Sequence, residues 1–81
     1  MKVTRKGSIT EIDLHGLRVE DAQARLLHLI EQSPQQVKEI HVIHGYTRGT
    51  ALKEAVRSLK HRRIQCILPS LNEGMSRIFL K

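Results

Sequence analysis

The chain is poor in cysteine and in aromatic residues. Its 81 residues include one cysteine, Cys66, and two aromatics, Tyr46 and Phe79. One cysteine excludes an internal disulfide and argues against a cysteine-based zinc site. We interpret Cys66 as a small hydrophobic residue of the core, because its neighbours in the sequence are apolar. Two aromatics are also too few for a sheet on which several nucleic-acid bases stack.

Long hydrophobic runs are absent as well. No apolar run approaches the roughly 20 residues that a membrane-spanning helix needs. The charged N-terminus has no apolar stretch behind it that would form a secretory signal. We therefore expect a cytoplasmic protein with no membrane partner. A hydrophobic content of 40% excludes a disordered chain, and the length fits one domain, because so few residues cannot form two cores.

Acidic residues are the minority among the charged ones. The chain has 8 Asp and Glu against 14 Lys and Arg, which gives a net charge of +6. Such an excess on a small domain favours a polyanionic partner, of which nucleic acid is the simplest. Charge does not identify the partner by itself, since basic side chains also keep small proteins soluble. The oligomeric state that we expect is a monomer.

The hydrophobic pattern predicts six elements after a flexible basic arm at residues 1–8. Alternating or β-branched residues predict four strands, at residues 9–14, 37–43, 64–68 and 77–80. Apolar residues recur every three or four positions in two predicted helices, one at 19–32 and one that begins near Thr50.

The order of these elements predicts the fold. Strand connections that contain a helix are right-handed and make the first strands parallel, whereas the last two strands form an antiparallel hairpin. The expected fold class is α/β, more narrowly an α+β two-layer sandwich in the order β-α-β-α-β-β over residues 9–81. Its four-stranded mixed sheet would carry both helices on one face.

Polar residues follow the first predicted strand. Asp13 and His15 stand at its carboxyl end, and the carboxyl ends of parallel strands are where ligands gather in an open sheet. A carboxylate and an imidazole two residues apart can serve as general base and general acid, or can bind one metal ion. In the alternative interpretation, Asp13 caps a loop and His15 hydrogen-bonds to the backbone.

A glycine-containing loop follows the second predicted strand and opens a helix. Such a loop can present backbone N–H groups to a phosphate, and basic and hydroxyl side chains add hydrogen bonds. The candidate phosphate-binding residues are His44, Gly45, Tyr46, Arg48, Gly49 and Thr50, and Tyr46 could stack on one base. The loop lacks the strings of a P-loop and of a dinucleotide-binding fold. Its glycines are also compatible with a tight turn alone.

Basic residues continue onto the predicted second helix. Lys53 and Arg57 fall on its outer side at helical spacing. Beside a phosphate-binding loop they can follow a nucleic-acid backbone. The alternative interpretation is a solvated helix face with no ligand.

Three short motifs stand at these places in the chain. The first is Ile-Asp-Leu-His-Gly-Leu at 12–17, and the second is Ile-His-Gly-x-x-x-Gly-Thr-x-Leu at 43–52. The third is Pro-x-x-Asn-x-Gly-x-Ser at 69–76. Together they resemble the Smr (small MutS-related) domain family over about residues 9–81.

The resemblance implies a fold similar to the C-terminal domain of bacterial translation initiation factor three. Members of the family bind nucleic acid. Several are endonucleases that nick DNA or cut messenger RNA, including on stalled or collided ribosomes. By position, Asp13 and His15 would take the cleavage role, and His44, Gly45 and Gly49 would take the substrate-binding role.

This chain departs from the family pattern at two positions. Thr47 stands where the common His-Gly-x-Gly motif has its second glycine, and Gly49 follows two residues later. Arg18 stands where the family often has Thr or Ser before its first helix. The helix then loses a cap worth about 1 kcal/mol, and the site gains a positive charge that can contact phosphate. Neither change removes a proposed catalytic group.

We therefore expect an endonuclease that prefers RNA, including messenger RNA on stalled ribosomes, over DNA. Asp13 would act as the base and His15 as the acid or as a stabiliser of phosphate charge, although the two roles can be exchanged. RNA supplies its own 2′-OH nucleophile, whereas DNA cleavage would call for Mg²⁺ or another divalent cation at Asp13 and His15. The competing hypotheses are a non-catalytic module that binds RNA, DNA or the ribosome, and a small-molecule phosphate binder.

Overall fold

A computed structural model of the chain describes residues 2–45 and 51–81. Those residues form five strands and two helices in a single sheet-and-helix domain. Along the chain they are β1 (Lys2–Lys6), β2 (Ile9–Asp13), α1 (Val19–Gln32), β3 (Glu39–Ile43), α2 (Ala51–Arg57), β4 (Ile64–Pro69) and β5 (Met75–Leu80).

The strands lie side by side in the order β1-β2-β3-β5-β4. β2 and β3 are parallel, and every other neighbouring pair is antiparallel. The parallel pair requires a long crossover, which α1 provides. The predicted mixed sheet of an α+β sandwich is thus confirmed. Within the described residues the sheet has five strands, however, and not the predicted four.

The additional strand is β1, where the sequence predicted a flexible arm at residues 1–8. It pairs antiparallel with β2, from Lys2 opposite Asp13 to Lys6 opposite Ile9. Gly7 makes the turn between the two strands with a φ of +60°, which glycine adopts at low cost. The strand was not expected because Lys2–Lys6 has one apolar side chain, Val3, and no periodic pattern of apolar residues. Pairing with the edge of β2 nevertheless satisfies the backbone hydrogen bonds on one side of this segment.

One face of the sheet and both helices share a single hydrophobic core. Alternate residues of β2, β3 and β5 point into it, and α1 adds a stripe at helical spacing. The core residues include Ile12, Ile40, Val42, Ile78 and Leu80 of the sheet, Ala22, Leu26 and Ile30 of α1, and Val56 of α2. Both helices therefore lie on one face, as predicted. Neither described helix has the length and apolar character to cross a membrane.

Cys66 is exposed and does not belong to this core, contrary to the interpretation from the sequence. The register of β4 against β5 shifts between Ile64 and Cys66. Ile64 and Ile67 are consequently the half-buried residues that pack on the core, and Cys66 falls on the other side of this edge strand, opposite Phe79. The sequence could not show this shift in register, because the apolar residues near Cys66 do not indicate which of them face the core.

Candidate functional site

The carboxyl ends of β2 and β3 lie next to each other. Asp13, the last residue of β2, is the register partner of Ile43, the last residue of β3. The pairing continues one step further, because the Leu14 N–H donates a hydrogen bond of 2.8 Å to the Ile43 carbonyl oxygen. The segment that carries His15 and the segment that carries His44 therefore leave the sheet at the same edge. We call this edge, with Asp13, His15, His44 and Gly45, the strand-end site.

Asp13 and His15 are in direct contact there. The His15 backbone N–H donates to Asp13 Oδ1 at 3.1 Å, and the His15 ring nitrogen Nδ1 lies 2.5 Å from the same oxygen. An ionised carboxylate only accepts, so Nδ1 carries the proton of this hydrogen bond. In the neutral ring, Nε2 then holds the lone pair. Among the described residues none hydrogen-bonds to Nε2, and the His15 side chain is 67% exposed.

The same contact keeps Asp13 ionised. The hydrogen bond from the His15 side chain is the largest cause that lowers the Asp13 pKa below its ordinary value, and the His15 backbone N–H adds to it. Partial burial opposes both and raises the pKa. A carboxylate with a lowered pKa is a weaker base, and it is well suited to orient an imidazole and to stabilise its protonated form.

His44 is arranged in the opposite way, because both of its ring nitrogens are used inside the protein. Nδ1 lies 2.8 Å from the Gly45 carbonyl oxygen, which can only accept, so Nδ1 is the donor. Nε2 then accepts from the Ser76 hydroxyl oxygen, 2.9 Å away. The residue is only 4% exposed. In this geometry His44 holds the backbone at Gly45 in place and presents no ring nitrogen to a phosphate.

A turn between β4 and β5 supports the backbone of His44 and Gly45. The Gly74 carbonyl oxygen accepts hydrogen bonds from the N–H groups of both His44 and Gly45, each at 2.9 Å. The Gly74 N–H donates in turn to Asn72 Oδ1 at 2.8 Å. The Gly45 N–H is thus committed within the protein, although the sequence suggested it as a phosphate donor. The sequence analysis included this turn and Ser76 in its third motif but assigned them no role, because their contact with β3 depends on β5 lying beside it.

Gly45 also brings the two strand ends close together. Its φ of +75° lies in the left-handed region that favours glycine. A Cβ atom at this position would stand 3.5 Å from the Cβ of His15, which is an ordinary contact distance. The conformation, rather than a lack of space, is what requires glycine here.

The remaining predicted residues lie on or next to the two helices, or outside the described residues. Tyr46, Arg48, Gly49 and Thr50, together with the departure at Thr47, fall outside residues 2–45 and 51–81. Arg18 is exposed at the start of α1 and makes no side-chain cap there, in keeping with the predicted loss of a capping group. On α2, Lys53 is half-buried and Arg57 is exposed.

The described residues offer few ligands for a metal ion. In residues 2–45 and 51–81, no three His, Cys, Asp or Glu side chains come together in a way that could hold one. Asp13 is the one carboxylate of the strand-end site, and its Oδ1 is already bonded to His15. One carboxylate can still bind Mg²⁺ at a phosphate substrate, because waters and phosphate oxygens often complete the coordination shell of that ion.

Comparison with known proteins agrees with this fold. The pattern of the Smr domain family matches residues 12–68. Among solved structures, the chain is similar to the Smr domain of Thermus thermophilus MutS2, with a TM-score of 0.80 and 22% sequence identity over 88% of this chain and 96% of that one. No curated protein sequence matches the chain. Because the family match spans well over half of its residues, the chain belongs to the Smr domain family of nuclease-like, nucleic-acid-binding modules.

Proposed function

We propose that the protein is an endonuclease that cleaves RNA in preference to DNA. The observation that carries the proposal is the hydrogen bond from His15 Nδ1 to the Asp13 carboxylate, with the rest of an exposed imidazole facing outward. Asp13 fixes which nitrogen bears the proton, and His15 Nε2 becomes the base. This exchanges the roles that the sequence favoured, since Asp13 is occupied by His15 and has a lowered pKa.

The proposed reaction uses the 2′-OH of the RNA strand. His15 Nε2 removes the 2′-OH proton, the 2′ oxygen attacks the adjacent phosphorus, and the bond to the 5′ oxygen of the next nucleotide breaks. The products are a 2′,3′-cyclic phosphate and a 5′-hydroxyl end. The leaving oxygen departs in line with the attack, on the side away from His15, so a water molecule supplies its proton. Asp13 stabilises the imidazolium that forms.

Substrate binding in this proposal rests on the positive charge of the chain. Arg18 precedes α1, and Lys53 and Arg57 lie on α2, within a chain of net charge +6. The predicted contacts of Tyr46, Arg48, Gly49 and Thr50 belong to the same proposal. Phosphate contacts of this kind give affinity that falls steeply with salt and carries little sequence information. We propose a cytoplasmic monomer that acts on structured or messenger RNA, including RNA presented by a stalled ribosome.

A divalent cation has a place in the DNA-cleaving alternative. Asp13, and His15 with it, could hold Mg²⁺ beside the substrate phosphate, where the ion would neutralise phosphate charge and polarise an attacking water. In that case cleavage would require the cation and would not distinguish a ribose from a deoxyribose. The RNA mechanism makes the opposite prediction on both points.

The test compares cleavage and binding on the same substrates. A labelled structured RNA and a DNA of the same sequence are incubated with the protein in Mg²⁺ and in EDTA. Asp13→Asn, which keeps the shape of the side chain, is examined beside His28→Ala, a change at an exposed histidine of α1. We expect RNA cleavage in EDTA, a 2′,3′-cyclic phosphate end, a large loss in Asp13→Asn and no loss in His28→Ala.

Other outcomes would select a different function. Cleavage of RNA and DNA alike, abolished by EDTA, would replace the 2′-OH mechanism by a metal-dependent one. Salt-sensitive binding of RNA by every variant, without cleavage by any, would support a non-catalytic binding module. That second candidate is favoured by the net charge of +6, which is present whether or not Asp13 and His15 perform chemistry.

A further inference from the structure

β1 exposes its outer edge, far along the sheet from α2. Within residues 2–45 and 51–81, β1 pairs with β2 alone and stands last in the strand order. An edge strand carries a row of backbone N–H and C=O groups that can pair with another extended chain. This edge is five residues long, from Lys2 to Lys6, so it can bind a segment of similar length.

An apolar groove runs beside this edge on the helix side of the sheet. Val3 is the register partner of the core residue Ile12 and therefore faces the helices, yet it remains 45% exposed. The groove lies between Val3 and α1 and has a volume of 360 Å³. Its lining consists of Val3, Ile12, Ala24, Arg25, His28, Leu29 and Gln32. A volume in this range suits small apolar groups, which pockets of about 300–1,000 Å³ commonly hold.

The charged side chains of β1 itself are all basic, whereas Glu11 and Asp13 of the neighbouring β2 lie on the same face as Lys2 and Lys6. Lys2 and Lys6 lie on the side of β1 away from the helices, and Arg5 lies on the helix side with Val3. Arg25 of α1 stands at the groove. A second copy of the chain would place these basic residues against their own counterparts, which costs free energy. A nucleic acid would satisfy the charges, but it would offer no strand to pair with the edge and no aliphatic side chain to fill the groove.

We propose that β1 and the groove beside it bind an acidic, extended peptide segment of a partner protein by strand addition. The segment would pair with the outer edge of Lys2–Lys6. Its apolar side chains would enter the groove next to Val3, and its alternate acidic side chains would face Lys2 and Lys6. Strand addition takes its affinity from backbone hydrogen bonds and its specificity from pockets for alternate side chains. This surface adjoins the strand-end site, because Lys2 is the register partner of Asp13, but the edge that would pair with the segment lies on the far side of β1 from β2.

The test uses a fluorescent, acetylated and amidated peptide of sequence Glu-Leu-Glu-Val-Glu-Leu-Glu as the probe, with fluorescence anisotropy as the readout. We expect saturable binding that weakens as salt rises. A peptide with N-methyl groups on alternate backbone nitrogens keeps the charges and side chains but cannot donate the backbone hydrogen bonds that strand addition needs. It should lose at least about tenfold in affinity if strand addition holds. Amide hydrogen exchange of Lys2–Lys6 should slow in the presence of the unmodified peptide.

Three variants of the full chain locate the site. Val3→Asp places a negative charge at the groove, and we expect it to weaken peptide binding about tenfold, or 1.4 kcal/mol. Ala24→Glu, at an exposed position of α1, should do the same without touching β1 and without disturbing the helix. The matched control is Leu68→Asp on the opposite edge strand, where Leu68 is 44% exposed. It should change the affinity by less than about twofold, because charges a Debye length apart are largely screened.

Several results would overturn the proposal. One is equal binding of the N-methylated and unmodified peptides, and another is a loss in Leu68→Asp as large as that in Val3→Asp. Competition between the peptide and a labelled RNA, with Val3→Asp weakening RNA binding equally, would assign the edge to nucleic acid. Concentration-dependent dimers that Val3→Asp abolishes would assign it to a second copy. RNA cleavage by Val3→Asp at the wild-type rate would leave the proposed nuclease function standing in either case.

Discussion

Two histidines stand at the ends of two neighbouring parallel strands and are used in opposite ways. His15, after β2, is 67% exposed in its side chain and bonds to Asp13 through one ring nitrogen. His44, after β3, is buried, and both of its nitrogens are bonded inside the protein. The comparison shows that two histidines at one edge of a sheet can have opposite surroundings. In the proposed function, His15 carries out the chemistry while His44 holds the backbone at Gly45.

The largest expected effect is on activity, at His15. His15→Gln keeps a polar side chain but removes the base, so we expect RNA cleavage to fall about 10²–10⁴-fold. The midpoint of thermal unfolding should change little, because the residue is exposed. Cleavage rates under single-turnover conditions and a melting curve of the same sample check both statements. Wild-type cleavage by this variant would remove His15 from the mechanism.

The next effect is on stability, at His44. His44→Ala opens a cavity and leaves the Ser76 hydroxyl without its partner, so we expect a loss of about 2–3 kcal/mol in the free energy of unfolding. Urea denaturation measures it, with His28→Ala as the control, for which we expect a change within about 0.5 kcal/mol. An unchanged free energy of unfolding in His44→Ala would contradict the role of His44 in holding the backbone at Gly45.

A smaller effect is expected at Gly45. Gly45→Ala must adopt a φ of +75°, which costs a residue with a Cβ atom about 1–2 kcal/mol. The added Cβ would meet His15 at an ordinary contact distance, so steric overlap adds little. Urea denaturation again gives the value. A matched substitution, Gly7→Ala at the β1–β2 turn, should cost a similar amount of stability but leave RNA cleavage unchanged.

The Ser76 hydroxyl gives a related but smaller loss. Ser76→Ala removes the hydrogen bond to His44 Nε2 and leaves that buried nitrogen unsatisfied, so we expect about 1 kcal/mol. The double variant with His44→Ala should lose less than the sum of the two single changes, because both remove the same contact. Strict additivity in this cycle would show that the hydrogen bond contributes nothing.

The smallest effect is the pH dependence that comes from Asp13. The Asp13 pKa is lower in the folded chain than its ordinary value of 3.8, mainly through the hydrogen bond to His15. The unfolded chain therefore binds the proton more tightly, and Asp13 stabilises the folded state at pH values above 3.8. That contribution is lost as the pH falls below 3.8 through the folded value. Asp13→Asn should flatten the acid limb of the stability curve, while a curve that keeps its slope would contradict the contact.

The parts of the fold with a long, regular pattern could be predicted from the sequence. α1 spans Val19–Gln32 as its period indicated, because fourteen residues repeat the same spacing and Pro34 follows. β1 could not be predicted, since its stability comes from pairing with β2 and its own side chains show no period. Cys66 was misjudged because a shift in register between the edge strand β4 and its neighbour β5 leaves no mark on local composition.

The same distinction applies to the strand-end site. Asp13 and His15 are two residues apart, so their proximity follows from the local chain. The partnership of His44 and Ser76 joins residues 32 positions apart and depends on β5 pairing with β3. Sequence reasoning could propose that His44 belonged to the site, but it could not show that both ring nitrogens are occupied. That fact is a property of the tertiary structure.

The position of β5 inside the sheet determines when the strand-end site can form during synthesis. β5 is the last described strand to be made, yet it lies between β3 and β4 and supplies Ser76. Gly74, immediately before it, holds both His44 and Gly45. A nascent chain made as far as His44 contains both histidines. It still lacks Gly74 and Ser76, which hold His44. The strand-end site is therefore completed late in folding, only after β5 has paired with β3.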